Sequence, residues 1–257
     1  MQNQTTPLLQ VEHIEKYYGS PDALTKALDD ISFDVRTGEF ISIMGASGSG
    51  KTTLLNCIST IDTVSAGHIL LDGQEITTIA EEEIAAFRRD CLGFVFQDFN
   101  LLDTLTLLEN IALPLTIGKA APEEIDRRVH QIAQKLDISD ALPKFPTQVS
   151  GGQKQRCAFA RAVVCDPKLI MADEPTGALD SHASRILLEV MSTYNQEMGA
   201  TILMVTHDAF CASFAGRILF LKDGRIFNEI YKGEKSRSTF YHEILDVLSL
   251  LGGDAPC

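Results

Sequence analysis

The sequence predicts an α/β fold in which an N-terminal antiparallel β subdomain and an inserted α-helical subdomain accompany a core of alternating strands and helices. Residues 9–35 alternate apolar and polar positions with a period of two, which is typical of antiparallel strands. Between about residues 80 and 164, apolar residues recur every three or four positions, as in amphipathic helices. Short apolar runs return after residue 169, with a helical pattern over 184–198 between the first two of them. This alternation favours the mixed core.

The first core strand leads directly into a glycine-rich loop. Residues 40–44 form a short apolar run, segment 45–50 is rich in glycine and serine, and a helical pattern begins at Lys51. This order predicts a strand, a loop and a helix. A further strand is expected at 67–73, where the turn residues Asp72 and Gly73 end it.

Three helices are predicted in the middle of the chain, where we place a helical subdomain at about residues 88–164. Four prolines separate its segments. The helices are expected at 81–90, 123–136 and 153–164, and the prolines are Pro114, Pro122, Pro143 and Pro146.

The last third of the chain returns to strands and ends in a separate extension. A turn signal, Lys222 to Arg225, predicts a hairpin after the last core strand. The tail, residues 231–257, begins polar and then carries a short amphipathic segment at 240–251, for which we expect a helix without an assigned role. The strands are predicted at 169–172, 201–205 and 218–221.

Composition narrows the class of protein. The net charge of −13 argues against direct binding to nucleic acid, which requires a cationic surface. No run approaches the roughly 18–20 apolar residues of a membrane helix, and residues 1–7 lack the features of a secretory signal. The six cysteines form no CxxC pair, so we expect small buried side chains and a loose thiol at Cys257. These features predict a cytosolic protein.

The glycine-rich loop matches the Walker A pattern. Its glycines let the backbone turn sharply and aim N–H groups at phosphates, and the positive end of the following helix lies at the same place. Lys51 would supply a positive charge to the β- and γ-phosphates, and the Thr52 hydroxyl would bind Mg²⁺. The alternative, a glycine-rich turn with a coincidental Lys-Thr, does not explain its position between a strand and a helix. The loop residues are Gly45, Ala46, Ser47, Gly48, Ser49, Gly50, Lys51 and Thr52, followed by Thr53.

Two adjacent carboxylates follow the apolar run at 169–172. Asp173, at the end of a buried strand, would reach the Mg²⁺ shell. Glu174 would polarise an attacking water as a general base. Neighbouring acids are common in solvated loops, but their position downstream of a Walker A loop favours the catalytic interpretation.

A second potential anion site precedes the helix predicted at 153–164. Ser150, Gly151 and Gly152 offer a hydroxyl, exposed backbone N–H groups and a helix N-terminus. Taken alone, this segment is equally well an ordinary helix start.

With these motifs in this order, residues 8–230 resemble the ATPases of ATP-binding cassette (ABC) transporters. The resemblance implies a P-loop NTPase (RecA-like) core in a single domain, with 231–257 as a C-terminal extension. Residues 149–153 resemble the signature motif, with Val149 in place of the usual leucine. Gln97 resembles the Q-loop glutamine, segment 177–180 the D-loop and His207 the switch histidine.

The resemblance also implies roles for individual residues. Tyr18 corresponds to the aromatic residue that stacks on adenine, although Tyr17 or simple strand packing is an alternative. Two copies would form a head-to-tail homodimer, with each ATP between the Walker A loop of one and the signature motif of the other. The catalytic set is Lys51, Gln97, Glu174 and His207; the Mg²⁺ set is Thr52, Gln97 and Asp173; further nucleotide contacts come from Ser150, Gly151, Gly152, Gln153 and Asp180.

Residues 96–106 are similar to the Q-loop region of bacitracin-export ATPases of Gram-positive bacteria, and segments 56–62 and 251–253 add to the similarity. These ATPases pair with a large permease at the cytoplasmic face of the membrane and confer resistance to peptide antibiotics. A role in sensing, through a histidine kinase, is equally compatible. Lipoprotein-release, macrolide-export and cell-division ATPases are the alternative within the family. A ribosome- or DNA-directed ABC protein is disfavoured, because the chain is acidic and has one cassette.

A hypothesis about the permease follows from the same region. Residues 99–105 form an apolar patch beside Gln97, and we predict that they line the groove that receives a cytoplasmic helix of the permease. Ordinary core packing of the helical subdomain is the alternative.

Overall fold

The computed structural model describes residues 6–20 and 23–252. The predicted loose thiol at Cys257 and the similarity at Gly253 therefore lie outside the described residues, as do residues 1–5 of the segment tested for a secretory signal. Within the described ranges, no helix is long and apolar enough to cross a membrane.

The N-terminal strands form the antiparallel sheet that the alternating pattern predicts. Its order is β2-β1-β4-β5. Because every second side chain of β1 faces inward, Leu9 and Val11 are buried in the core while Gln10 and Glu12 face outward. The strands are β1 (Leu9–Ser20), β2 (Ala23–Val35), β4 (Ala66–Leu71) and β5 (Gln74–Glu75).

A second sheet of six strands forms the core, in the order β10-β9-β3-β8-β7-β6. Its strands pair in parallel except for the β9–β10 hairpin, which the turn signal predicted. Because β3, β7 and β8 are neighbours, the loops that follow them meet at one edge of the sheet. The strands are β3 (Phe40–Met44), β6 (Leu92–Val95), β7 (Leu169–Asp173), β8 (Thr201–Thr206), β9 (Arg217–Lys222) and β10 (Arg225–Tyr231).

The helical region begins later than predicted. The expected boundary near residue 88 falls inside helix α2 (Glu81–Cys91), and the next element, β6, pairs with β7 in the core sheet. The part that leaves the sheet therefore starts after β6. It contains α3 (Leu107–Ile117), α4 (Pro122–Lys135) and α5 (Gly151–Val163).

Helix α3 is absent from the sequence-based prediction. It begins at a capping box in which Thr106 and Glu109 satisfy each other's backbone N–H groups. Pro114 lies inside this helix rather than at its end. The helix is held by tertiary packing, since Leu107 and Ile111 are fully buried.

The C-terminal helices complete the core. They are α6 (Ser181–Met198), α7 (Ala209–Ala212) and α8 (Arg237–Gly252). The remaining helix, α1 (Lys51–Ile58), lies near the N-terminus and follows the glycine-rich loop. The predicted terminal helix at 240–251 is confirmed and starts at Arg237, because the Ser236 hydroxyl accepts a hydrogen bond from Thr239 N at 3.1 Å. The cysteines of the described chain are free and at least partly buried, as predicted.

Candidate functional site

The glycine-rich loop lies where β3 ends and α1 begins, and two of its glycines have no room for a side chain. A Cβ on Gly45 would lie 2.3 Å from Leu221 O, and one on Gly50 would lie 2.6 Å from Ala27 O. Gly50 also has a φ of 102°, which side chains disfavour. The loop is therefore a narrow cradle of backbone that requires glycine at positions 45 and 50.

Lys51 crosses this cradle. Its Nζ donates hydrogen bonds of 2.8 Å to Gly45 O and to Ala46 O, and the side chain is almost entirely buried. Burial lowers the pKa of Lys51, while the nearby carboxylates of Glu174 and Asp173 act in the opposite direction. An anion in the cradle would give this desolvated ammonium a direct counter-charge.

The cradle opens into a cleft of about 590 Å³ at the shared edge of β3, β7 and β8. Residues separated by more than a hundred positions meet there. The cleft is lined by Ala27, Ala46, Ser47, Gly48, Gly50, Lys51, Thr52, Thr53, Gln97, Glu174 and His207. The predicted loop, glutamine, glutamate and histidine are thus brought together, although the role of each stays a prediction.

Asp173 has the features of a ligand for a hard cation. Its Oδ1 is buried and has no hydrogen-bond partner among the described residues. The pKa of this carboxyl is raised, first by burial and then by the charge of Glu174, whereas a hydrogen bond with the Thr52 side chain acts to lower it. Carboxylate and hydroxyl oxygens are the donors that Mg²⁺ prefers. The predicted pair of Thr52 and Asp173 therefore fits the metal, and Gln97 lies in the same cleft.

Glu174 and His207 form a direct pair. His207 Nδ1 lies 2.9 Å from Glu174 Oε1, and the imidazole is 70% exposed while the carboxylate is 17% exposed. Glu174 adopts a φ of 46°, a conformation that costs energy outside glycine, and its N–H donates to Val205 O at 2.9 Å. The fold thus turns the carboxylate from the end of β7 towards the end of β8.

Two polar residues at the site escaped the sequence-based prediction. Thr206 Oγ1 lies 3.4 Å from Glu174 Oε2, and its position just before His207 was the available signal. Gln155 is fully buried, and its Nε2 donates to Phe96 O at 3.0 Å and to Pro175 O at 2.6 Å. It therefore connects Phe96, the residue before Gln97, to the loop after Glu174, and no local sequence pattern marks it.

Tyr18 is better placed than Tyr17 for contact with a nucleotide base. Its ring is 42% exposed, and its hydroxyl donates to Asp62 at 2.5 Å. Burial and then the hydrogen bond to Asp62 raise the pKa of this phenol, whereas a hydrogen bond with the Thr53 side chain, beside the cleft, acts to lower it. Exposure of this ring disfavours simple strand packing. Tyr17 instead donates to Glu15 at 2.9 Å. The adenine contact of Tyr18 stays a prediction.

The segment 149–153 starts α5 but does not line the cleft of its own chain. Ser150 caps the helix by accepting a hydrogen bond from Gln153 N at 3.3 Å, and the Gln153 side chain accepts one from Ser150 N at 3.0 Å. A Cβ on Gly152 would lie 3.2 Å from the Cβ of Ala183, in the first turn of α6. The signature-like turn therefore packs beside the segment that follows Glu174.

Asp180 has a structural role in that segment. Its Oδ1 accepts hydrogen bonds from the N–H groups of His182 and Ala183, at 2.9 and 2.8 Å, and so caps α6. Asp180 does not line the cleft of its own chain, and its nucleotide contact stays a prediction.

The permease groove predicted at residues 99–105 stays a prediction, and the structure offers a second candidate. An apolar groove of about 480 Å³ lies beside β6, but Asn100 is the one residue of that segment among its lining. The Phe99 ring lies instead near the start of α5, with Lys154 Nζ 5.9 Å from its centroid. Packing of α3 against the β6–α5 edge forms the groove. Its lining is Ala85, Arg88, Arg89, Leu92, Gly93, Phe94, Phe96, Asn100, Leu113, Pro114, Ile117, Arg161, Ala162 and Cys165.

Comparison with known proteins agrees with this geometry. Residues 28–177 match the family model described as ABC transporter. The chain is 54% identical over 248 residues to the ABC transporter ATP-binding protein YxdL of Bacillus subtilis, with 96% of each chain covered. It is 48% identical over 246 residues to the bacitracin export ATP-binding protein BceA of Halalkalibacterium halodurans, covering 96% of this chain and 97% of that protein.

Among solved structures, the chain is similar to the ATP-binding cassette MJ0796, determined as a dimer in a post-hydrolysis state with ADP and Pi. The TM-score is 0.79 at 38% identity, covering 87% of this chain and 98% of that one.

Proposed function

Because the chain belongs to the ABC transporter family, as an ATP-binding subunit, we propose that it hydrolyses ATP as a dimer and transmits the resulting movement to a membrane permease. The observation that supports this most directly is that Lys51 and the Glu174–His207 pair line one cleft.

We assign a part in hydrolysis to the side chains of the cleft. Lys51 and the loop N–H groups bind the β- and γ-phosphates of the substrate. Glu174 accepts a proton from water, whose oxygen attacks the γ-phosphorus while the bond to the β–γ bridging oxygen breaks. His207, held at 2.9 Å from Glu174, contacts the γ-phosphate and keeps the base oriented. The products are ADP and inorganic phosphate.

Thr52, Asp173 and Gln97 would hold Mg²⁺. The ion, when bound, neutralises charge on the phosphate oxygens. The unpartnered Oδ1 of Asp173 supports this assignment.

A dimer of two copies completes the site. The signature-like turn of Ser150 to Gly152 does not line the cleft of its own chain, and we propose that a second copy supplies it. A twofold pair in which each turn faces the other chain's Lys51 completes both sites identically. The similar cassette MJ0796, described as dimeric, supports this arrangement.

The experiment that tests the function is release of phosphate by the purified protein with ATP and Mg²⁺. We expect His207→Ala to slow this reaction by about 10²-fold, the effect of losing one hydrogen-bond donor to a transition-state oxygen. His130→Ala is the matched control, because His130 lies on α4 with 54% exposure and contacts only Asp126 among the described residues. Wild-type turnover in His207→Ala, or no turnover in the unchanged protein, would contradict the proposal.

We place the permease at the groove beside β6. The lining of this groove includes the apolar side chains of Phe94, Phe96 and Leu113 and the cationic side chains of Arg88 and Arg89. It suits an amphipathic helix with an acidic flank.

We expect Ile117→Glu to abolish stimulation of ATP hydrolysis by the permease without changing the rate of the isolated subunit. Ile117 lines the groove and is 60% exposed, so a charge there disturbs docking and leaves the core intact. Leu102→Glu is the matched control, since Leu102 is 47% exposed and does not line the groove. The reverse result, with stimulation lost in Leu102→Glu alone, would contradict this placement and favour residues 99–105 as the docking site of the permease.

We further propose that the complex exports or senses peptide antibiotics at the cytoplasmic face of the membrane, as an extension of the similarity to a bacitracin export protein. Loss of bacitracin resistance in cells that carry Glu174→Gln would support export. Loss of an antibiotic-induced reporter, with capture of a histidine kinase by the permease, would support sensing. Lipoprotein release, macrolide export and cell division remain the alternative, and a permease lacking a large extracellular domain would favour it.

A further inference from the structure

The C-terminal helix α8 covers a short helix next to the candidate site. Its residues Phe240, Ile244 and Val247 recur at helical spacing and are buried. They share a core cluster with Ala209 and Ala212 of α7. The same cluster contains Met44, the last residue of β3 before the phosphate cradle. The tail is therefore packed into the core beside the cleft.

Helix α8 also holds α7 through its first residue. The Arg237 guanidinium lies 4.3 Å from the centroid of Phe214 and 5.6 Å from that of Phe210. These rings meet edge to face at 5.4 Å. On the other side, Arg185 of α6 lies 5.8 Å from the Phe210 ring. The rings are thus held between α6 and α8 by cation–π contacts.

Helix α7 in turn contacts both loops that carry the Glu174–His207 pair. Asp208, directly after His207, caps α7 through a hydrogen bond of 2.6 Å from Phe210 N. The N–H of Asp208 donates to Thr206 Oγ1 at 3.1 Å. Cys211 Sγ lies 3.1 Å from the hydroxyl of Thr176, in the loop after Glu174, and burial raises the pKa of this thiol to about 11.

His207 itself has little packing to fix its direction. Its side chain is 70% exposed, and the contact with Glu174 is the one hydrogen bond that it makes to the described residues. Its orientation therefore depends on where the backbone enters α7.

We propose that Arg237 is a positioning residue for ATP hydrolysis: through Phe214 and Phe210 it holds α7 in place, and α7 holds His207 against Glu174. This inference rests on the proposed ATPase function. It gives the C-terminal helix a part in catalysis although none of its residues lines the cleft.

The first test is the steady-state kinetics of Arg237→Ala. We expect kcat to fall about tenfold, within the ~10²-fold that a misplacement of about 1 Å costs. KM for ATP should change less than roughly twofold, because the phosphate cradle is not touched. Arg237→Lys should recover part of the loss, since it keeps the cation but not the planar stacking surface. Leu250→Ala, on the same helix and 66% exposed, is the control and should leave kcat unchanged.

A double-mutant cycle separates positioning from general destabilisation. If Arg237 acts through His207, adding Arg237→Ala to His207→Ala should lower kcat no further. A further tenfold fall in the double variant, or an unchanged kcat in Arg237→Ala, would overturn the proposal. If Arg237→Ala does not fold, Phe214→Leu, which removes the aromatic face at similar volume, takes its place in the same cycle. Absence of turnover in the unchanged protein would refute the ATPase function instead.

Discussion

Glu174→Gln is expected to bind ATP but to hydrolyse it about 10²- to 10⁴-fold more slowly, the range that a general base supplies. Glutamine nearly matches glutamate in shape, and its amide can keep the contact with His207 Nδ1, which lies 2.9 Å from Oε1. It cannot take a proton from water, so the attack stalls. The nucleotide then stays between the two copies. Phosphate release measures the first effect, and light scattering with ATP and Mg²⁺ measures accumulation of the dimer.

The control is Glu189→Gln, the same change at an exposed position of α6, which should behave as the unchanged protein. Normal turnover in Glu174→Gln would remove this carboxylate as the base. A variant that neither turns over nor dimerises, even with saturating ATP, Mg²⁺ and the permease present, would retain the base but contradict the shared site. The role of Glu174 as the base and the site shared between two copies can therefore each be refuted without the other.

The sequence predicts those strands and helices in which buried apolar side chains recur at a regular spacing. In β1, the alternation of Leu9 and Val11 with polar neighbours directly reflects one buried face. In α4, Val129, Ile132 and Ala133 face inward at spacings of three and four. Both patterns are local, so both elements were predicted, and α4 was placed within one residue of its observed limits.

The elements that were missed lack such a local pattern. Helix α3 combines a strongly apolar sequence with Pro114, which reads as a break, and it survives because the core surrounds Leu107 and Ile111. Helix α7 has four residues, too few to show a period. Its existence depends on the Asp208 cap and on the cover that α8 provides.

The candidate site divides in the same way. The cradle from Gly45 to Thr52 is continuous in sequence, so its chemistry could be predicted from spacing alone. The meeting of Glu174 with His207 requires β7 and β8 to be neighbours, and here the family resemblance supplied what periodicity could not. Gln155 and the groove beside β6 were not predicted, because they depend on contacts between segments about 20 to 80 residues apart.

Lys51→Ala is expected to weaken ATP binding by roughly 10- to 150-fold, which corresponds to the about 1.5–3 kcal/mol of a hydrogen bond to a charged group. The ammonium is nearly buried at the centre of the cradle, and its pKa is lowered by that burial. A phosphate anion offsets the desolvation, so the attraction is stronger there than it would be at the surface. Calorimetric titration with ATP measures the loss, and Lys144→Ala, at an exposed lysine, is the control.

Comparing the affinities of Lys51→Ala for ATP, ADP and adenosine distinguishes loss of the lysine charge from collapse of the glycine-rich loop. Lys51 also donates to Gly45 O and Ala46 O at 2.8 Å, so its removal leaves two carbonyl groups without this donor. If the ammonium acts on the β- and γ-phosphates, affinity should fall most for ATP, less for ADP and little for adenosine. Collapse of the cradle would instead weaken all three to a similar extent. An equal loss for adenosine would therefore leave Lys51 as a support of the loop and remove it as the counter-charge of the substrate.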